Sequence, residues 1–187
     1  MTAPLDRTAI AALTPRLAGI ADPANPAALL QLLRLLYAVG RRDLPLGRLL
    51  EGHVDALQIV TRYGTEAQRA AAADAARAGG AFGVWNADQP GDPAKLVDGQ
   101  LSGAKAFASG AGLLSYALVP VDVDGGRQLL LVDLALAPPE IDRSWWRVSG
   151  MQRSETHLVR WDQQPLPADA VIGLSLIHIS EPTRQEA

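Results

Sequence analysis

Cysteine is absent from the 187 residues, and with it go disulfides, thiolate metal sites and cysteine nucleophiles. The cytoplasm is then the expected compartment. No apolar run approaches the roughly 20 residues that a membrane span requires. Residues 1–20 also lack the charged start, apolar centre and small-residue cleavage site of an export signal, so neither insertion nor export is expected. An excess of positive charge is absent as well: the net charge is −3, and the lysines and arginines are spread along the chain rather than gathered into the stripe a phosphate backbone needs. Nucleic acid is therefore not an expected partner. The chain carries no GxSxG elbow, no HExxH, no GxxxxGK phosphate loop and no GxGxxG after a strand, which leaves hydrolase and dinucleotide-fold readings without their usual support. No metal site is expected.

What the chain does have is apolar material, 48% of its residues, enough to bury a substantial core. Over residues 1–80 the apolar positions recur at three- and four-residue intervals, which predicts helix. One segment opens with Asn25 as cap and Pro26 in the first turn, carries Leu29, Leu30, Leu32, Leu33, Leu36 and Tyr37, and stops at Gly40. A second runs from about Pro45 to Tyr63 with Leu46, Leu49, Leu50, Val54, Leu57 and Val60 on one face, and Gly64 is placed for a left-handed cap. In the third, Thr65 and Gln68 stand at capping-box spacing before an alanine-rich helix that ends at Gly79-Gly80.

From Ala81 short β-branched and aromatic runs alternate with turn signals such as Asp98-Gly99 and Asp124-Gly125-Gly126. Strands are predicted over 81–85, 101–109, 114–121, 128–134 and 155–161. Helices followed by strands give an α+β fold: an all-α region at 1–80, then an antiparallel, barrel-like β region at 81–173.

The last residues read differently. Leu-Ser-Leu-Ile-His-Ile-Ser-Glu-Pro-Thr-Arg at 174–184 resembles the translation of a transposase-type sequencing-library adapter. Residues 174–187 are accordingly set apart from the fold, and the gene is expected to continue past Gly173.

The most distinctive stretch is Gly103-Ala104-Lys105-Ala106-Phe107-Ala108-Ser109-Gly110. On a regular strand Phe107 and Ser109, two positions apart, share a face. An aromatic ring beside a hydroxyl suits a flavin, since the ring packs on the isoalloxazine while the hydroxyl bonds near its reactive nitrogen; each residue would equally serve as ordinary core or turn.

The wider pattern resembles the acyl-CoA dehydrogenase family. Gly103-x-Lys105-x-Phe107-x-Ser109 is similar to its G-x-K-x-[WF]-[IA]-[TS] strand, Phe82 to Asn86 to its first flavin-contacting strand, and Trp146 with Gly150-Met151-x-Arg153-Ser154-x-Thr156 to its W-x-x-x-G-M-R-x-T-x-S region. Leu166-Pro167 to Gly173 matches its V-P-x-x-x-x-[IL]-G exit, and the helices around Glu51-Gly52-His53 and Tyr63 to Arg69 agree as well. The resemblance spans about residues 40 to 173.

It implies FAD as cofactor, with FMN the alternative, and a site in which Phe107 flanks the ring, Ser109 bonds its N5 or O4 side, and Val84, Trp85 and Asn86 supply further contacts. The implied reaction is α,β-dehydrogenation of an acyl thioester such as an acyl-CoA, a carboxylate taking the α-proton while the β-hydride passes to the flavin, with electrons leaving to an electron-transfer acceptor. In the family the base is a glutamate of a C-terminal helical domain, which also builds part of the flavin site and most of a homo-oligomer interface. That helical bundle is missing here, so no residue of this chain is assigned as catalytic. The chain alone is expected to bind flavin weakly and to expose apolar helix faces.

The sequence departs from the family at Trp85-Asn86-Ala87-Asp88, where Val-Thr-Glu-Pro is usual, and a following Gly-Ser-Asp is reduced to Gly91-Asp92. Trp85 fits a ring cover or an aromatic plug equally well. His53 and His157 sit on apolar faces and read as packing, while Arg153 lies in the family motif as a loop-ordering residue. Two other readings stay open: a flavin monooxygenase on the same fold, and a non-catalytic interaction module.

Overall fold

The computed structural model describes residues 5–148 and 150–172; Gly173 and the adapter-like residues 174–187 lie outside the described residues. Five helices come first: α1 Arg7–Ala11, α2 Thr14–Ala18, α3 Pro26–Gly40, α4 Leu44–Tyr63 and α5 Glu66–Arg77. The strands follow as β1 Phe82–Val84, β2 Lys95–Val97, β3 Gln100–Ala108, β4 Tyr116–Val123, β5 Gly126–Asp133, β6 Glu140–Asp142, β7 His157–Pro165 and β8 Val171–Ile172.

The helix starts obey local chemistry. Asn25 Oδ1 accepts from Ala28 N at 3.0 Å to open α3, and Thr65 and Gln68 exchange both bonds of the capping box at α5, each satisfying amides that the first turn leaves orphaned. Thr65→Ala is expected to lower stability by about 1 kcal/mol, checked by urea unfolding; an unchanged midpoint would show that Gln68 alone holds this end. Gly64 differs from expectation: it is extended, at φ −73° and ψ 156°, because the next residue is already the cap of α5 and needs an extended entry. α4 begins one residue early, at Leu44, where Asp43 Oδ1 accepts from Leu46 N at 3.1 Å.

The α+β arrangement is the one observed. The strands form one sheet in the order β6-β7-β3-β2-β4-β5-β8, with β1 also paired to β4. Most pairings are antiparallel, but β1 and β2 both run parallel to β4 along the same edge. The order begins at β6 and ends at β8, so the sheet stays open. The short β2, β6 and β8 were not legible as strands: β2 and β6 are three residues each and partly exposed, and they exist only because a longer partner offers free backbone groups.

Two apolar clusters tie helices to sheet. One joins Leu49 of α4 to Trp85, Leu101, Leu114, Val159 and Trp161. The other joins Leu50, Val54, Leu57 and Val60 of the same helix to Phe82, Leu118, Leu129 and Ile172. α4 therefore lies against both, and its burial fixes where the sheet's β1 edge sits. α3 is different: Leu29, Leu30, Leu33 and Tyr37 remain 44–67% exposed, the kind of open apolar helix face the sequence suggested. No helix among the described residues is long and apolar enough to cross a membrane.

Candidate functional site

The strand that carries the G-x-K-x-F-x-S pattern divides its labour. Gly103 is at φ +94°, and a Cβ there would stand 2.2 Å from the Pro93 carbonyl oxygen, so only glycine lets the 88–93 segment lie against β3. Lys105 is fully buried. Its Nζ donates to Asp88 Oδ1 at 2.6 Å and to the Asn86 carbonyl at 3.3 Å, and Asp88 also meets Arg127 at 2.5 Å. Burial pushes the Lys105 ammonium below its usual range despite the pairing. At Asp88 burial opposes ionisation, but the bond and charge of Lys105, with Arg127, prevail and hold the carboxyl below its ordinary value. These two motif residues thus pin the loop after β1, and Asp88 of the departing Trp-Asn-Ala-Asp segment is what Lys105 requires.

Phe107 breaks the regular alternation. Between Lys105 and Ala108 the β3–β7 register slips by one residue, and Phe107 takes a left-handed φ of +56°. A bulged, non-glycine residue in that conformation costs about 1–2 kcal/mol. It also turns the side chain outward, where Phe107 is 57% exposed and meets Trp145 edge to face at 4.8 Å. Phe107 and Ser109 consequently do not share a simple strand face. Ser109 instead borders a small cleft with Arg48, Leu49, Gly52, Phe82, Val84 and Leu114, and Phe107 is not among its lining residues. Neither group is folded into the sheet interior.

Of the β1 residues, Val84 lines that cleft. Trp85 does not: it is 1% exposed, tilted against Trp161 at 6.1 Å, and its Nε1 donates to the Ser109 carbonyl at 3.0 Å. Trp85 is thus packed in the core, where it holds the end of β3. Asn86 is exposed, and its carbonyl is engaged by Lys105.

Behind Ser109 lies a constellation that sequence reasoning did not assign. Gln152–Ser154 forms a 3-10 turn between two left-handed residues, Met151 at φ +59° and Glu155 at φ +46°. Its carbonyls bind the amides after Ser109: Ser154 O accepts from Gly110 N at 2.8 Å and Glu155 O from Ala111 N at 3.0 Å. Arg153 pairs with Asp43, the α4 cap, at 2.8 Å, in keeping with a loop-ordering role. Glu155 meets Arg143 at 2.6 Å and His157 at 3.1 Å. Among the described residues, three of the five left-handed non-glycine positions, Phe107, Met151 and Glu155, therefore gather here, each a local backbone cost that the surrounding contacts must offset. The Thr156 hydroxyl reaches Ser109 from 47 positions away, with the Ser154 hydroxyl bonded behind it, a proximity that no local pattern signals.

His53 is the other deeply placed polar group. Its Nδ1 accepts from Phe82 N at 3.2 Å, which leaves the hydrogen on Nε2, and that atom has no partner among the described residues. The ring is fully buried, and burial lowers its pKa to about 4. It is a core histidine that anchors β1 to α4.

No family model and no curated protein matches the sequence. Solved structures do. An acyl-CoA dehydrogenase from Geobacillus kaustophilus is 15% identical at a TM-score of 0.70, with 91% of this chain and 51% of that one covered. The chain has the acyl-CoA dehydrogenase fold. FkbI, a protein for biosynthesis of a methoxymalonyl extender unit, superposes at 0.77 with 19% identity, covering 91% of this chain and 52% of its own. KijD3, solved with FMN and a dTDP-linked amino-keto sugar, gives 0.69 at 23% identity over 90% of this chain and 47% of its own. The chain thus spans about half the length of the structures it matches.

Proposed function

We propose that this chain is the flavin-facing half of an oxidoreductase, with the bulged Phe107 and the hydroxyl of Ser109 on either side of the flavin ring's position. The observation that supports this most is Phe107 itself: an aromatic side chain held outward by a strained backbone at the end of β3, two residues before Ser109. The residues fit such a group in kind. Phe107 offers a flat apolar surface, Ser109 a hydrogen-bonding edge, and Val84 an apolar wall, whereas Trp85 contributes by fixing the Ser109 backbone rather than by contact. A flavin, FAD or FMN, would supply the two-electron acceptor. This chain's own part is to cover, orient and exclude water.

The preferred activity is dehydrogenation of an acyl thioester, with electrons passed to an electron-transfer acceptor and the proton-abstracting carboxylate supplied from a helical domain following Gly173, in a homo-oligomer. A second reading, an oxygen-using flavin enzyme on the same fold, is favoured by one feature. Directly after β1 stand buried Trp85 and exposed Asn86, where valine and threonine are usual in the family. The proposed division is a helical domain at 1–80 and a flavin-binding domain at 81–173.

The test is titration of the chain with FAD, followed by flavin fluorescence. Weak but saturable binding is expected, with Phe107→Ala and Ser109→Ala each weakening it by about five- to tenfold, the loss of one stacking contact or one hydrogen bond. No saturable binding by the wild type, or equal binding by both variants, would contradict the reading.

A further inference from the structure

Three hydroxyls stand in a row behind the cleft. Thr156 Oγ1 donates to Ser109 Oγ at 3.0 Å, Ser154 Oγ lies 2.7 Å from Thr156 Oγ1, and Ser154 Oγ is 2.6 Å from the Met151 carbonyl. Ser154 and Thr156 are 1% and 4% exposed, so water does not compete for them, and each hydroxyl has one hydrogen to give. Counting those hydrogens is decisive. If Thr156 gives its hydrogen to Ser109, the contact with Ser154 uses the Ser154 hydrogen, and the Met151 carbonyl receives none from the Ser154 hydroxyl. That carbonyl then keeps the Ser154 amide at 3.0 Å and the long bond from Trp146 Nε1 at 3.4 Å. If Ser154 donates to Met151 instead, Thr156 must donate to Ser154, and Ser109 must turn its own hydrogen to Thr156.

The row therefore has two complete orders. In the outward order, Ser154 to Thr156 to Ser109, the Ser109 hydrogen is free to point into the cleft. In the inward order, Ser109 to Thr156 to Ser154 to the Met151 carbonyl, Ser109 presents only lone pairs there. No proton changes oxygen between the two; only the neighbour each hydrogen faces is exchanged.

We infer that Ser154 and Thr156 are positioning residues that let Ser109 switch between donor and acceptor toward one ligand atom that is bare in one state and carries hydrogen in the other. A flavin ring nitrogen has this property, an acceptor when oxidised and an N–H donor when reduced, so the inference rests on the flavin reading and deepens it. The left-handed residues on both sides of the 3-10 turn serve this arrangement by setting Met151 O and Ser154 Oγ side by side. Chains of hydroxyls polarise one another, which makes each order stronger than isolated bonds.

The experiment compares binding of oxidised FAD and dithionite-reduced FAD by the chain, under anaerobic conditions, through quenching of tryptophan emission. Thr156→Val removes the middle hydroxyl while keeping the shape. It is expected to leave oxidised-FAD affinity within about twofold and to weaken reduced-FAD affinity about fivefold, the worth of one hydrogen bond. Ser154→Ala, which cuts the far end, should repeat that asymmetry, and Thr156→Ser should restore the wild-type ratio. Equal weakening of both forms, as a merely structural role would give, overturns the inference, and so does an unchanged ratio in Ser154→Ala should Thr156→Val not fold. Wild-type chain that binds neither form removes the flavin reading and this inference together. Wild-type binding with an unaltered ratio in the variants removes only the switch.

Discussion

Replacing Asp88 with alanine is expected to destabilise the fold by about 3–5 kcal/mol, because it strands a buried ammonium without its carboxylate. Lys105 has no exposed surface, and its close charged partner is Asp88 at 2.6 Å; the Asn86 carbonyl at 3.3 Å is a weaker acceptor. Lys105→Met should cost less, about 1–2 kcal/mol, since it removes the buried charge and leaves Asp88 paired to Arg127 at 2.5 Å. Urea unfolding of both variants at neutral pH gives the order directly. Equal losses, or a greater loss for Lys105→Met, would show that the loop after β1 is held by packing rather than by this pair.

The second large effect is in pH. His53 in the folded chain titrates near 4 rather than at 6.5 because burial disfavours its charged form. The unfolded chain takes up a proton as pH falls through 6.5, while the folded chain resists until about 4. The stability from a neutral His53 is therefore fully present above the unfolded value and drains away as pH falls across that window, by about 3 kcal/mol in all. His53→Asn keeps an acceptor for the Phe82 amide and has nothing to titrate. Its stability, measured by urea unfolding from pH 7 to pH 4, should fall less than the wild type's by about that amount. Parallel pH profiles for the two proteins would contradict this placement of His53.

How far the fold was legible depended on how local its causes are. Asn25, Thr65 and Gln68 act within one turn, so their helix starts could be read directly from spacing. The stop at Gly64 misled because a glycine signals a left-handed cap only when the chain turns away, and here it enters another helix at once. At the site, the motif named Phe107 and Ser109, but periodicity predicted one shared face and could not foresee the bulge that separates them. The roles of Gly103 and Lys105 became clear only from Pro93 and Asp88, which the chain brings across from a preceding loop. Trp85 was ambiguous in sequence, and the structure places it as a plug.

The position of a bound flavin is the most direct test. A crystal structure of the chain with FAD is expected to show the isoalloxazine edge within hydrogen-bonding distance of Ser109 Oγ and the ring against Phe107, with Trp85 still buried beneath. A flavin bound elsewhere, or a ring that touches neither Phe107 nor Ser109, would contradict it.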